Sequence, residues 1–483
     1  MKKNFYITTT LPYVNAPLHL GHATEIIRAD AIARYKKIQG CEVFFNTGTD
    51  EHGMKIFEAA EKNNQTLKEY TDFYANLFKE TLSKFGVSEE VQYVRTTDER
   101  HIIGAQAFWQ KCSDNGFIYK KNYKTKYCVG CEEEKTDSEL VDGKCPIHPT
   151  REIEIFEEEN YFFKYSEFGD RLLKYYEQNP NFIVPDYRTN EMREFIKRGL
   201  NDFSISRLKS KVSWGIPVPG DDEHVMYVWF DALTNYISTL GWPNNLTNFE
   251  KFWAGSDTET VQFCGKDNTR FQGAMWQAML MAAEIKNTDK IIVDGFILGE
   301  GGIKMSKSLG NTIDPLDIID QYSTEALRYF ILREFHPFED TPVSQDSLKE
   351  NFNANLANGL GNVVSRVMKM AEGLFEPISD KEKLKIGLVA PEYIVAVEGY
   401  NLQSAMNIIW QQIGEIDKTI QETEPFKLVK IDKEAAAKII REQVLKIDLV
   451  ARMLLPFLPE TSAKISQAIK ENKKPENLFS RKD

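Results

Sequence analysis

Apolar and polar positions divide the chain into two parts. Residues 5–10 form a short apolar run, residues 23–39 carry apolar positions at helical spacing, and residues 43–46 form a second short apolar run. This order of strand, helix and strand predicts parallel strands joined by helices. From about residue 346 onward, apolar residues recur only every three or four positions, which predicts helices alone.

The order of these signals predicts an α/β fold with a doubly wound, Rossmann-like parallel sheet, followed by an α-helical bundle. A cysteine-rich segment with acidic turns interrupts the pattern between the two halves of the sheet. Strand signals then return at residues 226–230, 261–264 and 291–298, with a helical pattern at residues 273–285. We expect the first half of the sheet in residues 1–116, the insertion in 117–185, the second half in 186–298, a loop and connecting region in 299–345, and the bundle in 346–483.

Composition narrows the class of protein. The 483 residues are 42% apolar, and no apolar run is long enough to cross a membrane. The N-terminal residues lead directly into a strand rather than a signal sequence, so we expect a cytoplasmic protein without membrane contact. A formal net charge of −12 argues against nonspecific nucleic-acid binding but is compatible with a local basic face.

The inserted segment carries a possible metal site. Cys128 and Cys131 stand two residues apart, and Cys145 and His148 repeat that spacing after thirteen intervening residues. Two such pairs can place three thiolates and one imidazole around one tetrahedral Zn²⁺ and leave no open position, so we expect one structural zinc ion. The alternative is a redox dithiol with an unrelated cysteine and histidine.

Two further motifs suggest phosphate chemistry. His19, Gly21 and His22 stand between a predicted strand and a predicted helix, where free backbone N–H groups face an anion. Lys304 and Lys307 follow an apolar run and a glycine-rich stretch, so they can close over a polyphosphate. Each motif alone is weak, because such histidines are often helix caps and such lysines are usually solvated.

Together and in this order, the two motifs resemble those of the class I aminoacyl-tRNA synthetases, which read His-Ile-Gly-His and Lys-Met-Ser-Lys-Ser. The second motif matches at every position, and Leu20 is the one difference in the first. The resemblance implies ATP as substrate with Mg²⁺, and it implies that the 299–345 region contacts the tRNA stem. The implied catalytic residues are His19, His22, Lys304 and Lys307, and the implied ATP-binding set adds Gly21 and Asp267.

Within this class, the chain resembles the methionyl-tRNA synthetases of the single-zinc-knuckle type. The resemblance rests on residues 8–15, 46–53, 214–220, 227–236 and 454–459. It implies that Asp50 holds the ammonium group of L-methionine and that Arg207 lies near the substrate. An apolar, aromatic-lined slot suits a thioether, although core packing is the alternative role for each aromatic residue. The implied pocket residues are Leu11, Tyr13, Trp229, Ala232, Leu233 and Tyr236.

Residues 265–272 depart from the family pattern. Family members usually read Gly-Lys-Asp-Ile-x-x-Phe-His, whereas this chain has Asn268 in place of the isoleucine and Gln272 in place of the histidine. Both positions belong to the implied methionine site. A glutamine amide can still donate a hydrogen bond, so we expect methionine to remain the substrate.

The resemblance also implies an anticodon-binding surface in the bundle. Asn362 and Arg366 lie four residues apart and share a helix face, while Phe426 stands where the family usually has tryptophan. An aromatic ring can stack on an unpaired base; the alternative for Phe426 is helix packing. The implied partner is tRNA(Met), both initiator and elongator.

The resemblance therefore implies a methionine–tRNA ligase that makes methionyl-adenylate and pyrophosphate from methionine and ATP, then transfers methionine to the tRNA 3′ end. A small-molecule nucleotidyltransferase would share the histidine motif but would not need the zinc insertion or the bundle. A non-catalytic tRNA-binding relative would be expected to lose the motif histidines and lysines. No further tRNA-binding and dimerisation module follows residue 481, so we expect a monomer.

Overall fold

The structure is a computed structural model that describes residues 2–131, 133–135, 137–303, 305, 313–383 and 389–482. The chain forms two compact units. The first comprises residues 1–18, 40–83 and 89–293, and the second comprises residues 19–39, 84–88 and 294–483. Among the described residues, no helix is both long and apolar enough to span a membrane.

A parallel six-stranded sheet organises the first unit, with strand order β3-β2-β1-β12-β13-β7. The neighbouring pairs β1–β2, β2–β3, β1–β12 and β13–β7 are parallel. This sheet confirms the predicted fold class. Its strands are β1 (Asn4–Thr8), β2 (Glu42–Thr49), β3 (Gln92–Arg95), β7 (Ile183–Val184), β12 (Thr258–Gly265) and β13 (Lys290–Asp294).

Strand order changes direction between β1 and β12, which are neighbours in the sheet although far apart in sequence. Thr8 pairs with Gln262 at this junction. In open parallel sheets, ligands bind beyond the carboxyl ends of the strands at such a switch point. The segments that leave β1 and β12 there are residues 9–13 and 266–272, which contain several of the predicted substrate-binding residues.

Antiparallel strands form the smaller sheets of the first unit. One sheet has the order β5-β4-β6-β8 and another has the order β10-β11-β9. The long β4–β6 pairing carries the cysteine-rich turns at one end, so the insertion is a β-rich subdomain. The strands are β4 (Ile118–Cys128), β5 (Glu133–Lys135), β6 (Glu154–Phe163), β8 (Phe203–Ser204), β9 (Ser206–Leu208), β10 (Pro217–Val218) and β11 (Asp221–Met226).

Helices cover much of the remaining first unit, and aromatic side chains such as Phe108, Trp253 and Trp276 fill the core between them and the sheet. Such buried rings supply a large apolar area per residue. The helices are α2 (Met54–Lys62), α3 (Leu67–Lys84), α4 (Glu99–Asp114), α5 (Gly169–Gln178), α6 (Asp186–Lys197), α7 (Val228–Ala232), α8 (Asn235–Ser238), α9 (Leu246–Phe249) and α10 (Trp276–Ala282).

The second unit is almost entirely helical in its described part, as predicted for the C-terminal region. It also contains the first helix of the chain, whose buried Arg28 pairs with Asp294 at 3.0 Å and donates to the carbonyl oxygen of Phe335. Its elements are α1 (Leu20–Ile38), β14 (Ile297–Leu298), α11 (Pro315–Gln321), α12 (Thr324–Tyr329), β15 (Thr341–Pro342), α13 (Gln345–Asn351), α14 (Asn362–Ala371), α15 (Asp380–Lys383), α16 (Pro391–Glu398), α17 (Leu402–Thr423), α18 (Pro425–Leu428), α19 (Lys433–Leu454) and α20 (Pro459–Glu471).

Two predicted strands differ from the observed elements. The strand expected at 226–230 ends at Met226, because Tyr227 caps a short helix instead. The strand expected at 291–298 is divided into β13, which ends at Asp294, and β14, which begins at Ile297 and belongs to a different sheet. Neither change is visible in apolar spacing, because short buried helices and strands have similar composition.

Candidate active site and metal centre

The predicted phosphate-binding histidines cap the first helix. The backbone N–H of His22 donates to Nδ1 of His19, and the N–H of His19 donates to Nδ1 of His22, both at 3.3 Å. The two rings stack with their centroids 3.7 Å apart. Because both Nδ1 atoms accept, the neutral rings carry their hydrogens on Nε2. The turn therefore provides two Nε2–H donors at a helix N-terminus.

Gly21 makes this arrangement possible. A Cβ at this position would lie 2.9 Å from Cε1 of His19, so any larger residue would displace that ring. Burial lowers the pKa of His22 well below its ordinary value, and the neighbouring His19 lowers it further. His22 is therefore uncharged near neutral pH and acts as a hydrogen-bond donor rather than a cation.

The predicted lysines of the second phosphate motif, Lys304 and Lys307, lie outside the described residues. Their roles stay predictions.

The predicted methionine site begins where β1 and β2 end. Tyr13 and Asp50 form a parallel backbone bridge, in which the Asp50 N–H donates to the carbonyl of Pro12 at 3.0 Å and the Val14 N–H donates to the carbonyl of Asp50 at 3.2 Å. Asp50 is 4% exposed, and Leu11 is also buried. The structure thus brings a buried carboxylate next to the predicted pocket segment.

The aromatic and apolar residues predicted for this site lie between residues 229 and 236 and after β12. The Trp229 ring stacks on Phe271, with the centroids 3.8 Å apart and the planes 3° apart. Ala232 ends α7, Leu233 follows it, and Tyr236 lies on α8; all three are buried. The Tyr6 hydroxyl donates to the carbonyl oxygen of Tyr236 at 2.7 Å and so fixes its backbone.

The departures from the family pattern lie after β12. Gln272 is buried, and its amide donates to the Thr10 hydroxyl at 2.8 Å. Its Oε1 has no hydrogen-bond partner among the described residues. Asn268 is half-buried, and Asp267 is exposed. Gln272 therefore ties the segment after β12 to the segment after β1 across the switch point.

Arg207 is not a surface residue. It is 4% exposed, and its guanidinium lies 4.8 Å from the Tyr227 ring centroid and 5.1 Å from that of Tyr127. Its Nη1 donates to the Ser204 hydroxyl and to the Ser206 carbonyl, each at 2.7 Å. A buried cation with this support is rigidly held.

Sequence reasoning missed two buried ion networks around Asp50. The Glu51 carboxylate accepts two hydrogen bonds from Arg95, at 2.7 and 2.9 Å. His52 Nδ1 lies 3.0 Å from Asp231, which also contacts His101 Nε2 at 3.4 Å. Glu51 and His52 belong to the motif at residues 46–53, but their partners Arg95 and Asp231 lie far away in sequence, so the motif alone does not predict these contacts.

The four predicted metal ligands converge. The sulfur atoms of Cys128, Cys131 and Cys145 and one ring nitrogen of His148 all lie within 4.8 Å of one another. Three pairs measure 3.8 Å (Cys128 to His148), 3.5 Å (Cys131 to Cys145) and 3.3 Å (Cys131 to His148). A tetrahedral zinc site with bonds of about 2.0–2.3 Å has ligand separations of about 3.3–3.8 Å. The donor set fits zinc in identity, number and spacing.

Backbone geometry also supports a zinc site at these residues. A Cβ at Gly130 would lie 2.4 Å from the His148 ring, so a glycine is required for the ligands to meet. Burial acts to raise the pKa of the Cys145 thiol, but backbone N–H groups of His148 and Ile147, together with the Cys131 and Cys128 side chains, outweigh it and leave that pKa below its usual value. These N–H groups favour a thiolate, the form that binds metal.

The predicted anticodon residues lie in the second unit. Asn362 and Arg366 share α14; Asn362 is exposed, and Arg366 pairs with Asp417 of α17 at 2.5 Å. The Phe426 side chain is 45% exposed in α18. The ring is therefore accessible to a base, as the predicted stacking role requires.

Two family models match the chain. The model for class I tRNA synthetases (M) matches residues 5–368, and the model for the anticodon-binding domain of methionyl-tRNA ligase matches residues 395–479.

Individual proteins agree with these matches. The methionine–tRNA ligase of Caldanaerobacter subterraneus is 40% identical over 97% of this chain and 74% of its own length. That of Brucella suis is 37% identical over 96% of this chain and 91% of its own. A solved Mycobacterium tuberculosis methionyl-tRNA synthetase in complex with methionyl-adenylate has a TM-score of 0.87 and 33% identity, and it covers 96% of this chain and 93% of that one. The chain therefore belongs to the methionyl-tRNA synthetases, a family of class I aminoacyl-tRNA synthetases.

Proposed function

We propose that this chain attaches methionine to tRNA in two steps at the site beyond β1 and β12. The methionine carboxylate attacks the α-phosphate of ATP, which forms methionyl-adenylate and releases pyrophosphate. A terminal ribose hydroxyl of tRNA(Met) then attacks the activated carbonyl and releases AMP. The observation that carries this proposal is the buried Asp50 carboxylate, whose backbone pairs with Tyr13, a residue that packs against the same buried cluster as Trp229.

Methionine recognition divides between charge and shape. Asp50 pairs with the substrate ammonium, because an opposed carboxylate in a buried place supplies both attraction and direction. Leu11, Tyr13, Trp229 and the α7–α8 residues surround the thioether, which needs no strong hydrogen bond. Unbranched methionine fills such a slot, whereas β-branched side chains are too stiff to do so. Asn268 and Gln272 border the same pocket, and Arg207 faces the carboxylate and phosphate groups.

ATP activation depends on positioning and charge rather than on a covalent nucleophile. The Nε2–H groups of His19 and His22 donate to phosphate oxygens at the helix start, and Asp267 contacts the ribose. Lys304 and Lys307 neutralise the charge that develops on pyrophosphate. Mg²⁺ that arrives with ATP would screen the phosphate charge.

The metal site has a structural role. Three cysteines and one histidine occupy all four positions of a tetrahedral ion, so no position is open for substrate. Tyr127 and Val129, on either side of the ligand Cys128, belong to one buried cluster with Tyr227, against which Tyr13 and Trp229 pack. Zinc binding therefore stabilises a wall of the methionine pocket.

The helical C-terminal region reads the anticodon of initiator and elongator tRNA(Met) through Asn362, Arg366 and Phe426, while residues 299–345 contact the stem. The exposed Phe426 ring offers a stacking surface for a base. We also propose that the domains follow the boundaries expected from the sequence, 1–116, 117–185, 186–298, 299–345 and 346–483. The protein is proposed to be a monomer and to act in the cytoplasm.

Charging of purified tRNA with labelled methionine tests the function. We expect ATP-dependent ester formation on tRNA(Met) and none on a non-cognate tRNA. A small-molecule nucleotidyltransferase would give no ester on any tRNA, and a non-catalytic tRNA-binding protein would retain tRNA without consuming ATP.

A further inference from the structure

A buried chain of hydrogen bonds links the segment after β2 to α7, α4 and α8. His52 Nδ1 lies 3.0 Å from Asp231 Oδ2, His101 Nε2 lies 3.4 Å from Asp231 Oδ1, and His101 Nδ1 lies 2.9 Å from the Ser238 hydroxyl. Asp231 and His101 are fully buried, and His52 is 4% exposed. The ATP and metal chemistry described above uses none of these groups.

The network joins the two segments that bind opposite ends of the substrate. His52 follows Asp50, the ammonium ligand, by two residues. Asp231 lies on α7 between Trp229 and Ala232, which line the thioether slot. His101 anchors the same carboxylate to α4. The bond from His52 to Asp231 is thus a direct side-chain link between the ammonium anchor and the slot.

Protonation states follow from the contacts. Burial acts to raise the pKa of the Asp231 carboxyl, but the two histidines outweigh it and leave that pKa below its usual value. An ionised carboxylate only accepts, so His52 donates from Nδ1 and His101 donates from Nε2. Hydrogen bonds to a charged acceptor in a buried site are among the stronger ones.

We propose that His52 and Asp231 are positioning residues that set the distance between the ammonium anchor and the thioether slot, and thereby the length of amino acid that the enzyme accepts. The inference rests on the proposed function. Loss of the link lets the Asp50 segment shift relative to α7, which weakens methionine binding but leaves ATP binding intact. The Glu51–Arg95 pair restrains the Asp50 segment from β3, so this segment keeps a second anchor when the link is lost.

Two amide substitutions at His52 separate this role from general packing. An asparagine amide places an N–H near the position of Nδ1, whereas a glutamine amide places it near Nε2, away from Asp231. His224, which is also buried and whose Nδ1 lies 3.0 Å from Asp221, provides a matched control outside the methionine site. The variants are His52→Asn, His52→Gln and His224→Gln.

Tryptophan fluorescence measures the methionine dissociation constant. Pyrophosphate exchange measures two further quantities: the ratio of kcat/KM for methionine to kcat/KM for ethionine, and the KM for ATP. We expect His52→Gln to weaken methionine binding about ten- to a hundredfold, as for one lost hydrogen bond to a charged group, and to narrow discrimination against the longer ethionine. The KM for ATP should stay within about twofold, a change well below the tenfold that one such bond is worth. His52→Asn and His224→Gln should resemble the wild type.

Equal weakening by His52→Asn and His52→Gln, or unchanged methionine binding in a folded His52→Gln variant, would overturn the inference. A parallel rise in the KM for ATP would also overturn it, because general damage would then explain the loss. If His52→Gln does not fold, His52→Phe replaces it, since its ring keeps the volume but cannot donate. Wild-type exchange with methionine tests the proposed function separately, because it does not depend on any variant.

Discussion

Trp229 and Phe271 lie face to face, with ring centroids 3.8 Å apart, although they belong to different segments of the first unit. Trp229 begins the aromatic wall on α7, and Phe271 follows the strand that borders the switch point. The stack therefore fixes the wall relative to the sheet. Such a pair contributes about 0.5–1.5 kcal/mol beyond its buried area.

Removal of this stack should weaken methionine binding selectively. We expect Phe271→Leu to raise the methionine dissociation constant about two- to tenfold, because Trp229 loses its support. Titration of methionine against tryptophan fluorescence measures this change. Phe252→Leu, at another aromatic contact of the first unit, should lower the melting temperature without changing methionine affinity.

The low pKa of His22 predicts a pH dependence of stability. In the unfolded chain the imidazole binds a proton below about pH 6.5, whereas in the folded protein it does so only at a lower pH because burial and His19 lower its pKa. Stability should therefore fall as the pH decreases through and below 6.5. His22→Asn keeps an acceptor for the His19 N–H and should flatten this part of the profile of melting temperature against pH. An unchanged profile would mean that other groups dominate.

Lys307 should act mainly in the transition state of adenylate formation. Its position after the glycine-rich loop lets the charge meet pyrophosphate as it leaves. We expect Lys307→Ala to lower the exchange rate constant about a hundredfold or more, as for the loss of one preorganised donor, with methionine affinity little changed. Equal losses in affinity and rate would instead assign Lys307 to ground-state binding or folding.

Zinc should be present at one ion per chain, and elemental analysis of purified protein measures it. Cys145→Ala should release the metal, lower the melting temperature and reduce methionine affinity through the cluster around Tyr127, while ATP binding persists. Cys41→Ala removes a buried cysteine far from the knuckle in sequence and should retain the ion. Wild-type protein without zinc would contradict the assignment.

The exposed Phe426 ring should contribute to tRNA charging but not to adenylate formation. Stacking on a base is worth about 1–3 kcal/mol, so Phe426→Ala should reduce charging about ten- to a hundredfold. Phe426→Trp should keep or improve charging, and alanine at the exposed Phe73 should have no effect. If Phe426→Ala lowers charging and exchange together, the ring packs the bundle.

Local sequence patterns predicted much of the fold and of the candidate site. The remaining features depend on contacts between residues that are far apart in sequence. The spacing of Cys128, Cys131, Cys145 and His148 already specified a metal site, because the ligand pairs are local. The His52–Asp231 contact was not predictable in this way, since 179 residues separate its partners. The same holds for the end of β11 at Met226, which depends on the packing of α7 rather than on local apolar spacing.

We expect the site to activate methionine, despite Asn268 and Gln272. Pyrophosphate exchange into ATP, measured for each of the twenty amino acids at equal concentration, tests it most directly. We predict exchange that depends on methionine and is fastest with it. Faster exchange with leucine, isoleucine or cysteine, or exchange without any amino acid, would contradict the account.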